Sequence, residues 1–243
     1  MGFWEHFDEL REKLVKCVWI FFLGFIAFYF LSDRILDLLR KPLFDALPEA
    51  ERHLYYTNLF ENFLVHLKVS AYASLLAFSP AYFYIIWSFI APGLKEKERK
   101  HLKPFIVAAA FFFLVGASFA YFVLFPKGVK YFLSYGTAAE VPLLTLDSYI
   151  SLILKLMTGF GLCFEIPVVL ILLGKLGVLT SDILSKQRRT AVIVITIIAA
   201  FVAPPDAMSM VLLMAPLYLL YESSILILRR LEKKNGAKNP IKS

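Results

Sequence analysis

Tyr149-Ile-Ser-Leu-Ile-Leu-Lys155-Leu-Met-Thr-Gly-Phe-Gly-Leu-Cys-Phe-Glu165-Ile-Pro167-Val-Val-Leu-Ile-Leu-Leu173 is an apolar run of helical length. Its 25 residues carry two charges, Lys155 and Glu165. As a helix it would reach about 37 Å, against a bilayer hydrocarbon core of roughly 30 Å. In lipid every backbone donor and acceptor needs an internal partner, which leaves helices or closed barrels. A barrel strand alternates polar and apolar residues with period two, and this run does not. It reads as a membrane-spanning helix.

Working outward, comparable runs lie on both sides. Toward the N-terminus they are Val15 to Leu31, Val69 to Ala91 with Pro80 as an expected kink, and a third run that starts near Pro104 and stops at Pro126. Toward the C-terminus, Thr190 to Ala203 holds only about 14 residues, or roughly 21 Å of helix. After Ala203-Pro204-Pro205-Asp206, the last run is apolar from Met208 to Leu220 and is interrupted by Glu222. The expectation is an all-α polytopic membrane protein with six spans, the last two short. Such a pair forms a tight hairpin, thins the bilayer locally, or re-enters. The composition agrees: 59% hydrophobic, 19% charged and a mean hydropathy of +0.69, more apolar than a soluble domain of this length.

Phe3, Phe7, Leu10 and Leu14 recur at helical spacing among Glu5, Asp8, Glu9 and Glu12, so residues 1–14 read as a short amphipathic helix on the membrane surface. The acidic N-terminal stretch lacks the marks of a cleavable signal, and the first span serves as the insertion signal. Residues 32–68 form a long loop with Leu-rich amphipathic pieces broken at Pro42 and Pro48. Lys and Arg fix the orientation. About 18 flank one set of alternate segments, in the N-terminal helix, residues 93–103, residues 174–189 and the tail, against about six on the other side. Both termini are therefore expected in the cytoplasm, with residues 1–230 as one membrane domain and 231–243 as a basic tail. The net charge of +7 sits at the ends of apolar runs, which is a topology signal and not a nucleic-acid-binding face.

Catalytic signatures are missing. The chain has no P-loop, no H-E-x-x-H and no nucleophile elbow, and its four histidines have no metal-ligand spacing. No cofactor and no enzyme activity are expected. The charges inside or beside the spans are more informative. Glu165 lies past the middle of its run, where a carboxylate costs at least a few kcal/mol unless protonated, paired or hydrated. It is either a protonated acid bonded to backbone freed by Pro167 or a functional polar site facing a cavity or partner helix. Asp147 and Asp206 read as caps of the helices that follow them. Glu9 with Lys13 is an ordinary i,i+4 pair, and Glu98 lies among the basic residues of the 93–103 loop.

Four segments carry a resemblance. His6-Phe-Asp-Glu9-Leu10-Arg11-Glu-Lys-Leu14 resembles the H-L-x-E-L-R-x-R-L start of the TatC family, the multi-span subunits of the twin-arginine protein translocase. Phe89-Ile-Ala-Pro-Gly-Leu94-Lys-Glu-Lys-Glu98-Arg99 resembles the family's first cytoplasmic loop, Phe160-Gly-Leu-Cys-Phe-Glu165-Ile-Pro167 its F-G-x-x-F-E-x-P, and Pro204-Pro205-Asp206 its P-P-D. They occur in order from about residue 6 to 230, with Phe7 in place of Leu and Lys13 in place of the second Arg. The resemblance implies a concave, glove-like bundle in the cytoplasmic membrane. It implies a signal-peptide site at Glu9, Arg11, Phe89, Leu94 and Glu98 that reads paired arginines. It implies single-span partners of the TatA and TatB type, export of folded cargo driven by the proton-motive force, and an oligomeric complex. The competing expectation is a proton- or cation-coupled small-solute transporter using Glu165.

Overall fold

The computed structural model describes residues 3–49, 52–90, 102–134, 143–202 and 207–236. Leu94, Glu98 and Asp206 lie outside the described residues. Among the described residues there is no strand, only an isolated bridge between Tyr55 and Thr145. Backbone contacts divide the chain into two units, residues 1–160 and 161–243.

In the first unit, α1 (Phe3–Tyr29) is a single 27-residue helix. The expected surface helix and first span are therefore continuous, because nothing between Leu10 and Leu23 breaks the backbone. The next helix, α2 (Ser32–Phe44), turns away from α1 by 78°. Ser32 pins that corner by donating to Tyr29 O at 2.6 Å and meeting His66 Nδ1 at 2.8 Å. α2 buries Leu36, Leu39 and Leu43 on one face, as its amphipathic sequence requires. The sequence predicts a break at Pro42, and the helix instead continues through it to Phe44. Proline removes the N–H that would serve the carbonyl four residues back, and the Tyr121 hydroxyl serves Leu38 O instead, at 2.6 Å.

The second apolar run begins earlier than its composition suggests. α3 (Glu61–Ala77) and α4 (Ser79–Ile90) meet at a 58° bend around Phe78. This is the kink assigned to Pro80. The Ser79 hydroxyl bonds Leu76 O, the carbonyl that Pro80 leaves unserved, at 2.8 Å. α1 packs closely on α3 because the contact is made of small residues. A Cβ added at Gly24 would lie 2.3 Å from Ser74 Oγ, and Ser74 Oγ itself donates to Phe21 O at 3.1 Å.

The third run does not end at Pro126. α5 (Leu102–Phe119) passes through a π-helical turn, Ala120–Leu124, into α6 (Phe125–Leu133). There Phe125 N–H bonds Ala120 O, five residues back, and this wider turn accommodates the proline that follows. α7 (Leu146–Cys163) starts in this unit, with the Tyr149 hydroxyl on Leu39 O at 2.7 Å and its ring 5.4 Å from that of Phe125.

In the second unit, α8 (Glu165–Lys175) follows α7 after a break at Phe164. Pro167 explains it, since the Cys163 carbonyl has no N–H to receive. Gly177, at φ +73°, closes α8 in the left-handed region that favours glycine. α9 (Ser181–Lys186) is capped by Thr180, whose side chain accepts from Ile183 N. α10 (Arg188–Val202) has 15 residues, as short as the sequence predicts. α11 (Ala207–Gly236) corrects the expectation for the last run: it has 30 residues and passes straight through Glu222. Glutamate is a good helix former, and its charge is met by Arg188 with two bonds, 2.7 and 2.9 Å, and by the Tyr218 hydroxyl at 3.0 Å. Cys163, Leu184, Ile195, Leu217, Tyr221, Ile225 and Leu228 form the core of this unit.

Among the described residues, three helical stretches are long and apolar enough to cross a membrane: Pro104–Leu133, Leu146–Lys175 and Met210–Lys234. The two bent pairs raise this to five if each crosses as one. Trp19, Leu23, Val107, Phe111, Phe122 and Leu219 are all more than 60% exposed, a surface suited to lipid and not to water.

Candidate functional site

Glu9 and Phe89, 80 positions apart in sequence, are brought together through Lys13. Lys13 follows Glu9 by one helical turn on α1, and its ammonium lies 2.5 Å from Glu9 Oε1. The same ammonium stands over the Phe89 ring, 5.7 Å from its centroid, at the end of α4. The pair is largely covered, with side-chain exposures of 16% for Lys13 and 25% for Glu9. Glu9 Oε2 is buried. Arg11 is exposed. A carboxylate and an aromatic face are thus arranged around one cation. The 93–103 loop, with Leu94 and Glu98, follows directly on Phe89 in sequence but lies outside the described residues.

A second polar cluster, which sequence reading missed, lies at the start of α3 and α7. Glu61 is 7% exposed and accepts from Thr57 N at 2.6 Å, Thr57 Oγ1 at 2.9 Å, Asn58 N at 3.4 Å and Asp147 N at 3.0 Å. Beside it Lys68 pairs with Asp147 and donates to Ser151 Oγ at 3.1 Å. A cavity of about 580 Å³ opens between them, lined by Asn58, Phe60, Lys68 and Asp147 among others. Asp147 is thus not the cap expected of it. It lies inside the first turn, and Glu61, from another helix, receives its N–H. The one sequence signal was Thr57 four residues before an acid, within a stretch read as loop.

Glu165 is the first residue of α8, at the break that Pro167 opens. The residue is half-buried. Two roles remain for it, a protonated acid bonded to backbone freed by Pro167 and a polar site facing a cavity or partner helix. They make different predictions. If Glu165 is a functional polar site, Glu165→Ala inserts normally and keeps its thermal stability while transport falls at least several-fold. An alanine variant that is fully active and more stable would remove the functional role.

Among the described residues no group of three or more metal-ligating side chains comes together. What the fold does define is a multi-span helical membrane protein with proline-bent spans and isolated polar clusters at the ends of its helices.

The comparisons narrow this class. Residues 5–216 match the family model for the Sec-independent protein translocase protein TatC. The Sec-independent protein translocase protein TatC of Desulforapulum autotrophicum is 34% identical over 235 residues, covering 97% of this chain and 87% of that protein. Its counterpart in Aquifex aeolicus is 36% identical over 226 residues, covering 92% of each. A crystal structure described as the twin arginine translocase receptor TatC in DDM superposes with a TM-score of 0.83 at 33% identity, covering 92% of this chain and 99% of that one. The chain belongs to the TatC family. It is a component of a Sec-independent protein translocase, a multi-pass membrane subunit that carries out transport and not catalysis. The small-solute transporter reading finds no support in these relationships.

Proposed function

We propose that this translocase subunit receives Arg-Arg signal peptides at the cytoplasmic face of the inner membrane. Glu9 and Glu98 take the two guanidinium groups, with Arg11, Phe89 and Leu94 forming the rest of the site. With single-span partners of the TatA and TatB type, it then exports folded proteins using the proton-motive force. The observation that carries this reading is the Lys13 ammonium held between Glu9 and Phe89, since the same carboxylate and ring suit an arginine of a bound peptide. The solved neighbour described as a twin arginine translocase receptor supports the same reading. The test is equilibrium binding of Arg-Arg and Lys-Lys signal peptides to the full chain and its Glu9→Ala and Glu98→Ala variants.

The same proposal sets six spans with both termini in the cytoplasm. Asp206 then lies outside, at the tip of the hairpin between α10 and α11. In a chain with Cys17 and Cys163 replaced, Asp206→Cys should react with an impermeant thiol reagent added from outside. Labelling only from the cytoplasmic side would make the hairpin re-entrant.

A further inference from the structure

We propose that Lys13 is a built-in competitor for the signal peptide, a tethered cation that occupies the recognition acid until an arginine displaces it. The inference rests on the reading of Glu9 as a signal-contacting acid and adds the residue that sets its threshold.

Three observations carry it. Lys13 Nζ lies 2.5 Å from Glu9 Oε1, so the more accessible oxygen of the carboxylate is already engaged. Glu9 Oε2 is buried, so a guanidinium cannot form two parallel bonds to this acid while Lys13 stays in place. The ammonium also covers the Phe89 ring, the other surface on which a guanidinium would stack. The same cation therefore contacts both the acid and the ring.

The chemistry of the competitor matters. An ammonium on a four-carbon stem binds as a point charge and leaves readily, whereas a guanidinium holds a carboxylate through a planar fork. An arriving lysine exchanges one ammonium for another and gains little. An arriving arginine gains a second parallel bond and a stacked ring. Lys13 stands where the family pattern has its second Arg. The structure thus assigns this chain a weaker tethered competitor than an arginine would be. The displacement cost applies to every peptide alike, so Lys13 lowers absolute affinity and leaves the Arg-Arg to Lys-Lys ratio to the geometry of the acids. Its effect on function is to hold lysine-bearing sequences below the occupancy needed for transport.

The experiment measures equilibrium binding of fluorescent Arg-Arg and Lys-Lys signal peptides to the full chain in lipid nanodiscs. The set comprises the wild type, Lys13→Met, Lys13→Gln, Lys13→Arg, Glu9→Gln and the Glu9→Gln/Lys13→Met double variant. Removing the tethered charge should tighten Arg-Arg binding roughly three- to thirty-fold, the worth of one partly covered ion pair. Lys13→Arg should weaken it below wild type. The gain from Lys13→Met should vanish when Glu9 is already Gln, a coupling that a merely structural role would not produce. Lys13→Gln keeps a polar side chain of similar length and guards against a packing defect in the methionine variant. If both neutral variants bind Arg-Arg peptide no better than wild type while Glu9→Gln still binds it worse, the competitor role is overturned and the signal-site reading stands. If Glu9→Gln binds as well as wild type, the role of Glu9 in that site falls, and the competitor role falls with it.

Discussion

Glu98→Ala is expected to weaken binding of an Arg-Arg signal peptide by about ten- to a hundred-fold, the worth of a charge-assisted hydrogen bond. Glu9→Ala should fall toward the lower end of that range, because wild-type Glu9 must first release Lys13, and that cost offsets part of what the acid contributes. Two adjacent arginines call for two separated carboxylates on one surface, since each planar fork fills one acid. A Lys-Lys peptide makes single bonds to the same acids and should lose far less in either variant. The basic residues around Glu98, from Lys95 to Lys100, repel cationic sequences in general, so what remains after repulsion is geometric. Equal losses for both peptides would reduce the acids to general electrostatic attraction, and no loss in either variant would sink the assignment.

The membrane spans were readable because hydrocarbon leaves a chain few choices. Apolar runs at least 18 residues long with few charges mark Pro104–Leu133 and Leu146–Lys175 as candidate spans, although the first continues past Pro126 and the second contains Pro167. The kink at Pro80 was readable for the same reason. Reading failed where the fold repaired a local defect. Pro42 stops α2 only if nothing serves Leu38 O, and Tyr121, far along the chain, serves it. Pro126 stops α5 only if the backbone cannot widen, and a π turn widens it. Glu222 interrupts the apolar run without ending α11, because glutamate is a good helix former and Arg188 pairs its charge. At Pro42 and Glu222 the compensating bond joins positions 83 and 34 apart, whereas at Pro126 the repair is local. The site shows the same division. Glu9 and Phe89 were found through motifs, yet their meeting through Lys13 is a tertiary fact that neither motif contains. Glu61 escaped notice because its ligands are backbone N–H groups, which leave no mark in a sequence.

Glu61→Ala should destabilise the first unit far more than breaking the ion pair beside it. Glu61 is an almost fully covered acid that collects three backbone N–H groups and a hydroxyl, from the 57–58 turn and from the first turn of α7. Alanine would leave those donors without their acceptor next to an apolar core, at a cost of about 2–4 kcal/mol. It would also detach the turn before α3 from the start of α7, which otherwise meet in this region through the Tyr55 to Leu144 and Leu146 to Tyr55 backbone bonds. Lys68 and Asp147, by contrast, are 42% and 39% exposed, so Lys68→Met should cost less than about 1 kcal/mol after solvent screening. Glu61→Gln keeps one carbonyl acceptor and loses the charge, and should fall between the two. In detergent, thermal unfolding should begin roughly 4–12 °C lower for Glu61→Ala and at most a few degrees lower for Lys68→Met. Limited proteolysis of the 52–60 segment should accelerate in step with the Glu61 substitutions, because that segment loses its anchor first. Equal, small shifts for Glu61→Ala and Lys68→Met, with unchanged cleavage, would show that the carboxylate organises nothing that the backbone bonds do not already hold.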